Sequence, residues 1–162
     1  MTLSTFIATF AYSGFLRPAP GTWGSAAAIP ALWLLWVLGG LWLVILATIA
    51  AFFAGWWATE RYIATSTSHD PSEVVIDEVV GQWVALWPVA LGLLHSGVSF
   101  WTLYPGILVA FLAFRLFDIL KPGPIGWADR RGDALGVMLD DVFAGIAAAI
   151  CVIIGGVAAH GL

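Results

Sequence analysis

Three long stretches of this chain contain no charged residue, and they constrain its fold more than any other feature. They cover residues 18–59, 79–114 and 142–162 and are 42, 36 and 21 residues long. A helix crossing ~30 Å of hydrocarbon needs about 20 apolar residues. The last run matches one such helix. The apolar part of the first, residues 26–58, would extend ~50 Å as a single helix at ~1.5 Å per residue, too long for one straight crossing. Both longer runs therefore read as helical hairpins with legs of roughly 15–18 residues, short for the ~20 of a full crossing. Gly39-Gly40 offers a turn in the first, and His95-Ser96-Gly97 or Tyr104-Pro105-Gly106 offers one in the second.

Composition supports a membrane setting. The 162 residues are 61% hydrophobic and 10% charged, where soluble domains run at about 45–50% and about 25%. Mean hydropathy is +0.96. So much apolar surface excludes a disordered chain, and too few polar side chains remain to cover a soluble monomer. A net charge of −4 argues against nucleic acid, which calls for clustered Lys and Arg. The single cysteine, Cys151, excludes an internal disulfide framework and a multi-thiolate metal site. With no internal repeat and no low-complexity linker, residues 1–162 read as one domain. The expected fold class is all-α, an integral membrane helical bundle of several short or hairpin transmembrane helices.

The charges fall into three groups. Arg17 stands alone; Glu60, Arg61, Asp70, Glu73, Asp77 and Glu78 form the second. The third holds Arg115, Asp118, Lys121, Asp129, Arg130, Arg131, Asp133, Asp140 and Asp141. If each long run crosses twice, all three groups return to the same side. All six basic residues lie there, and the positive-inside rule makes that side cytoplasmic. Pro30 and Pro88 fall inside helices, where neighbours must satisfy the freed carbonyls. Residues 1–16 are too short to span. Thr5, Thr9 and Ser13 recur every four positions opposite Leu3, Ile7 and Phe10, which predicts a mildly amphipathic, interfacial helix. No basic residue precedes Arg17, so this segment is not expected to be a cleaved signal.

Three charged or Gly/Pro-rich segments could carry chemistry. Residues 14–25 form a Gly/Pro-rich loop running into a helix, with Thr22 and Ser25 as N-caps. A helix start presents free N–H groups that suit phosphate, yet the loop lacks the Lys-Ser/Thr ending of a nucleotide P-loop. Read alone it is a rigid re-entry turn. Asp77 and Glu78 enter the second apolar run, where carboxylates are costly unless paired, protonated or metal-bound; the alternative is a solvated interface position at a helix N-terminus. Glu60, Asp70 and Glu73 read as solvated and His69 as a loop histidine. Arg115, Asp118 and Lys121, spaced i, i+3 and i+6, share a helix face that Pro122 terminates. Adjacent residues differ by about 100° around a helix, so only one of Asp140 and Asp141, and one of Asp77 and Glu78, is expected to face the interior squarely. Together the chain offers Asp77, Glu78, Asp118, Asp129, Asp140 and Asp141 beside Arg115, Lys121 and Arg130. Oxygen-only ligands select hard cations, chiefly Mg²⁺, and Mg²⁺ with Arg and Lys at a membrane surface suits a lipid phosphate.

The motifs Ala19-Pro20-Gly21-Thr22-Trp23-Gly24-Ser25, Asp77-Glu78-Val79-Val80-Gly81, Phe114-Arg115-Leu116-Phe117-Asp118-Ile119-Leu120-Lys121-Pro122-Gly123-Pro124-Ile125 and Gly136-Val137-Met138-Leu139-Asp140-Asp141-Val142-Phe143-Ala144-Gly145 occur in that order. In this order and content the chain resembles the bacterial phosphatidylglycerophosphatase A family. The resemblance implies a Mg²⁺-dependent phosphatase of the inner membrane that converts phosphatidylglycerophosphate to phosphatidylglycerol, built as an all-α bundle around a central helix. One stretch departs from the family pattern: Arg131-Gly132-Asp133-Ala134-Leu135-Gly136 is one residue short and adds an acid where a Gly-Gly pair is usual.

On this reading Asp77, Glu78, Asp118, Asp140 and Asp141 hold one or two Mg²⁺. Asp118, Arg115, Lys121, Asp129 and Arg130 are the catalytic candidates, with Arg115, Lys121 and Arg130 on the phosphate oxygens. Thr22, Ser25 and Arg17 are candidates for substrate binding. Phosphatidylglycerophosphate and the membrane are the implied partners; no nucleic acid and no obligate protein partner is implied. A CDP-alcohol phosphotransferase is one alternative, but Ala144 stands where its last Asp belongs and its opening Asp-x2-Asp-Gly-x2-Ala-Arg is absent. A non-catalytic carrier is the other, for which acids near the midplane rather than at segment ends are expected.

Overall fold

A computed structural model describes residues 2–66 and 71–160, the side chain of residue 160 excepted. His69 and Asp70 lie outside the described residues. Six α-helices follow in order: α1 (Leu3–Ala8), α2 (Pro20–Ile63), α3 (Ile76–Ser96), α4 (Tyr104–Leu120), α5 (Pro124–Asp129) and α6 (Ala134–His160), with no strand among the described residues. Helices α2, α3, α4 with its preceding turn, and α6 are each long and apolar enough to cross a membrane.

Helix α2 is a hairpin. Gly39 (φ −159°, ψ 16°) and Gly40 (φ 61°, ψ −155°) leave helical geometry in the middle of its 44 residues, and the positive φ of Gly40 is open to a residue without Cβ. The packing partners demonstrate the reversal. Gly24 abuts Val75 and Gly55 abuts Ile76, so residues 31 apart in sequence sit at one level of the bundle. In α3, Trp83 Nε1 donates to Ala28 O at 2.8 Å, and Trp87, one turn further along, donates to Thr48 Oγ1 at 3.4 Å. A continuous helix would hold residues 28 and 48 ~30 Å apart. The second hairpin turns at Gly97, whose left-handed φ of 65° ends α3; Tyr104 and Pro105 instead open α4. Five legs result.

Helix α3 is the central one. It packs against α2, α4 and α6, and every residue from Ile76 to Leu86 except Glu78 is buried. Small residues allow the closest approach: a Cβ on Gly145 would stand 2.3 Å from Gly81 O, and one on Gly81 would stand 2.5 Å from Asp141 O. These two glycines bring the second turn of α3 into backbone contact with the first half of α6, two to three turns into that helix.

The N-terminal helix is shorter than its periodicity suggests. It stops at Ala8, and Phe10, Ala11 and Tyr12 follow with φ of 42°, 53° and 69°. Tertiary contacts override the local pattern here. Val75 N–H donates to the buried Ala8 carbonyl at 2.9 Å, and Gly14 lies against the Glu73 carbonyl. The four-residue hydroxyl spacing survives as side-chain bonds: Thr9 Oγ1 to Thr5 O at 2.8 Å and Ser13 Oγ to Thr9 O at 3.3 Å.

Candidate active site

The three charged groups converge at one end of the bundle. Arg17 pairs with Glu73 at 3.2 Å, and Arg115 pairs with Glu78 at 3.9 Å, linking each group to the next. The two hairpins produce this convergence, since each returns the chain to the end from which it left. Between the helix ends lies a cavity of about 270 Å³ lined by Asp77, Glu78, Arg115, Asp118, Lys121, Asp129, Asp140 and Asp141, with Thr22 and Ser72 also in its wall.

Each side chain has a structural reason to be there. Asp77 and Glu78 occupy the first turn of α3, where the helix dipole favours negative charge. Gly21 permits the close approach of Glu78, because a Cβ there would stand 2.1 Å from Glu78 Oε1. Arg115 and Asp118 lie in the last two turns of α4, with Arg115 Nη1 2.7 Å from Asp118 Oδ2. Lys121 caps α4 in the left-handed conformation (φ 45°), so it leaves the helix face expected from its spacing. Its ammonium nevertheless turns into the cavity, bonding Asp129 and, at 2.8 Å, Asp140 Oδ2. Burial disfavours that charge, but the bonds to Asp129 and Asp140 outweigh it and raise the lysine above its ordinary range. Asp140 Oδ1 accepts the Asp141 N–H at 3.0 Å.

Both members of each adjacent acid pair line the cavity, against the expectation that one of each would turn away. The 100° separation does not expel a side chain to headgroups when that part of the helix is enclosed on every side, as the first half of α3 is. Asp140 and Asp141 are likewise buried. Ser25 lies one layer behind the wall, its Oγ donating to Gly21 O at 2.8 Å and accepting from Arg115 Nη1 at 3.5 Å. Arg17, 68% exposed and paired to Glu73, stands outside the cavity lining, as does the exposed Arg130. Glu73 is therefore ion-paired rather than free.

Six carboxylates face two cations in this lining. Asp77 Oδ1, Glu78 Oε2 and Arg115 Nε are buried with no hydrogen-bond partner. Two triplets could hold a metal ion: Asp77, Glu78 and Asp141, and Asp118, Asp140 and Asp141, each with ligand atoms within 4.8 Å of one another. An uncompensated excess of buried carboxylate oxygens fits a hard cation in both charge and donor type.

Ser72 and Gln82 escaped the sequence reading. Gln82, one turn beyond Glu78 on α3, is fully buried with neither amide atom bonded. It is the chain's one glutamine, inside a 36-residue uncharged run; that isolation is the signal that could have found it. Asp133, the extra acid of the shortened loop, caps α6: its Oδ1 accepts the Gly136 N–H at 2.7 Å while Arg131 grips it at 3.1 and 2.9 Å.

Comparison with known proteins bears on this geometry. The sequence profile of the Phosphatidylglycerophosphatase A family matches residues 6–155. A phosphatidylglycerophosphatase A of Haemophilus influenzae is 38% identical over 141 residues, covering 86% of this chain and 80% of the relative. A Bacteroides thetaiotaomicron protein provisionally named phosphatidylinositol-3-phosphatase is 36% identical over 148 residues, covering 89% and 87%. The Escherichia coli phosphatidylglycerophosphatase A is 32% identical over 138 residues, covering 85% and 74%. No solved structure matches the chain.

Proposed function

Since the chain belongs to the phosphatidylglycerophosphatase A family, we propose that it hydrolyses the phosphomonoester of phosphatidylglycerophosphate, releasing phosphatidylglycerol and inorganic phosphate at the cytoplasmic face of the inner membrane. The observation that carries this reading is the cavity itself, with six carboxylates and two cations at the end of an apolar bundle. A lipid can present its headgroup there while its acyl chains stay in the bilayer.

A phosphomonoester carries about −1.5 to −2 charges at neutral pH, so the acids cannot meet it unaided. Mg²⁺, the hard cation that this oxygen donor set favours, would be held by Asp77, Glu78, Asp118, Asp140 and Asp141 and would supply Lewis-acid neutralisation of the phosphate. Arg115 and Lys121 bind the non-bridging oxygens and the charge that develops on them. Asp118 at 2.7 Å orients the Arg115 guanidinium, and Asp140 at 2.8 Å orients the Lys121 ammonium. Water attacks phosphorus and the bond from phosphorus to the glycerol oxygen breaks; a cavity carboxylate takes the water's proton and passes it to the leaving glycerol oxygen. Thr22 and the start of α2 border the phosphate position. Arg17 and Arg130, outside the lining, have no step in this scheme.

The test is purified protein in detergent micelles with labelled phosphatidylglycerophosphate. Phosphate release that requires Mg²⁺ and proceeds without CMP is expected. Turnover only with CMP would indicate a CDP-alcohol phosphotransferase, and absence of turnover a carrier; either outcome contradicts the reading.

A further inference from the structure

We infer that the cavity holds two divalent cations at once, bridged by the carboxylate of Asp141, with the tighter ion on the α3 side. This deepens the proposed function and rests on it for the role of the ions, though not for their number. Asp141 belongs to both candidate triplets, with Asp77 and Glu78 on one side and Asp118 and Asp140 on the other. It is 2% exposed and sits where α6 meets α3 backbone to backbone, which fixes its carboxylate between the two sides.

The two triplets differ in what already neutralises them. Asp118 Oδ2 holds Arg115 at 2.7 Å, and Asp140 Oδ2 holds Lys121 at 2.8 Å. On the α3 side the single cation is Arg115, 3.9 Å from Glu78 Oε1. Asp77 is 8% exposed, lines the cavity, and its Oδ1 has no partner; Glu78 Oε2 has none either. Unpaired buried carboxylate oxygens are costly without a cation. The Asp77, Glu78 and Asp141 triplet therefore has the stronger demand and fills first. The Asp118, Asp140 and Asp141 triplet competes with Arg115 and Lys121 for its own oxygens and fills second, with substrate phosphate able to take over those two side chains. One carboxylate shared between two ions is the arrangement used in two-metal phosphoryl transfer.

Mn²⁺ provides the test, because its binding and spectrum are read without turnover. The protein in detergent is stripped with chelator and titrated with Mn²⁺, with bound ions counted by equilibrium dialysis and coupling read by electron paramagnetic resonance. Expected are two Mn²⁺ per chain in two separable steps, with an exchange-coupled spectrum at saturation. Asp77→Asn should lose the tighter step, Asp118→Asn the weaker, each leaving one uncoupled ion. Asp141→Asn should weaken both steps by about ten-fold or more, at least the effect of losing an outer-shell partner. One ion per chain, none, or two uncoupled ions in the wild type would overturn the inference even if every variant failed to fold. So would Asp141→Asn with both steps intact. Two coupled ions without phosphate release would leave the pair standing and remove the proposed substrate instead.

Discussion

The guanidinium of Arg115 lies 2.7 Å from the carboxylate of Asp118, one turn away on α4, and the pair forms one wall of the carboxylate cavity. Neither residue is free to relax into solvent, since their side chains are 17% and 13% exposed. Asp118→Asn should therefore lower phosphate release by a hundred-fold or more, on the order of what one charge-stabilising group contributes to a transition state. Circular dichroism and gel filtration should show the fold retained. Turnover within two-fold of wild type, with unchanged metal dependence, would remove Asp118 from the site.

Gly145→Ala tests whether the contact between α3 and α6 assembles the cavity. The new Cβ would stand 2.3 Å from a backbone oxygen of Gly81, so one helix must move. Overpacking of this kind costs ~1–3 kcal/mol. A thermal melt should show that loss, and phosphate release should fall further than the melt accounts for, because Asp141 moves away from Asp77 and Glu78. Full activity would mean that α3 and α6 need not touch there.

Gly21→Ala is the milder counterpart. Its Cβ would meet Glu78 at the flexible end of the side chain, 2.1 Å from Oε1. Melting temperature should stay near wild type while the Mg²⁺ concentration for half-maximal phosphate release rises several-fold. A large drop in melting temperature with unchanged metal requirement would place Glu78 outside the metal's reach.

Asp133 gives a pH-dependent signature. Arg131 and the Gly136 N–H hold its carboxyl below the ordinary aspartate range, which in unfolded chains lies near ~3.9. A depressed folded value means that the carboxylate contributes stability above the unfolded value and loses it as pH falls through the folded one. Asp133→Ala should therefore lower the melting temperature at pH 7, with the gap to wild type closing as pH falls below about 4. A gap that stays constant down to pH 3 would contradict the capping role.

The topology has its own check. In a Cys151→Ala background, a membrane-impermeant thiol reagent applied from the periplasm should label Val98→Cys and spare Arg61→Cys and Arg130→Cys. The reverse pattern would place the cavity on the other face.

Much of this was legible in the sequence because charge is so sparse. Run length alone demanded a turn inside residues 18–59, and Gly39-Gly40 supplies it. The four motifs marked the acids, and their glycines proved structural: Gly81 and Gly145 are the helix contact, and Gly21 makes room for Glu78. The rest depended on three-dimensional facts that periodicity does not carry. A helical wheel cannot tell that the first half of α3 is enclosed all round, or that Asp140 and Asp141 are both buried where α6 packs on it, so it wrongly turned one acid of each pair outward. Charge grouping put Arg17 and Arg130 near the site without saying which way they point. The N-terminal helix was cut short by contacts of Ala8 with Val75 and of Gly14 with Glu73, partners 67 and 59 residues away in the chain.

The central claim is that this carboxylate cavity is a metal-dependent phosphomonoesterase site. It is tested most directly by stripping the purified protein with chelator, restoring Mg²⁺ stepwise, and measuring phosphate released from phosphatidylglycerophosphate, with Asp141→Asn alongside. Activity absent in chelator, restored by Mg²⁺ in the wild type and not restored in Asp141→Asn is the predicted result. Release that persists in chelator, or that returns equally in both proteins, would contradict it.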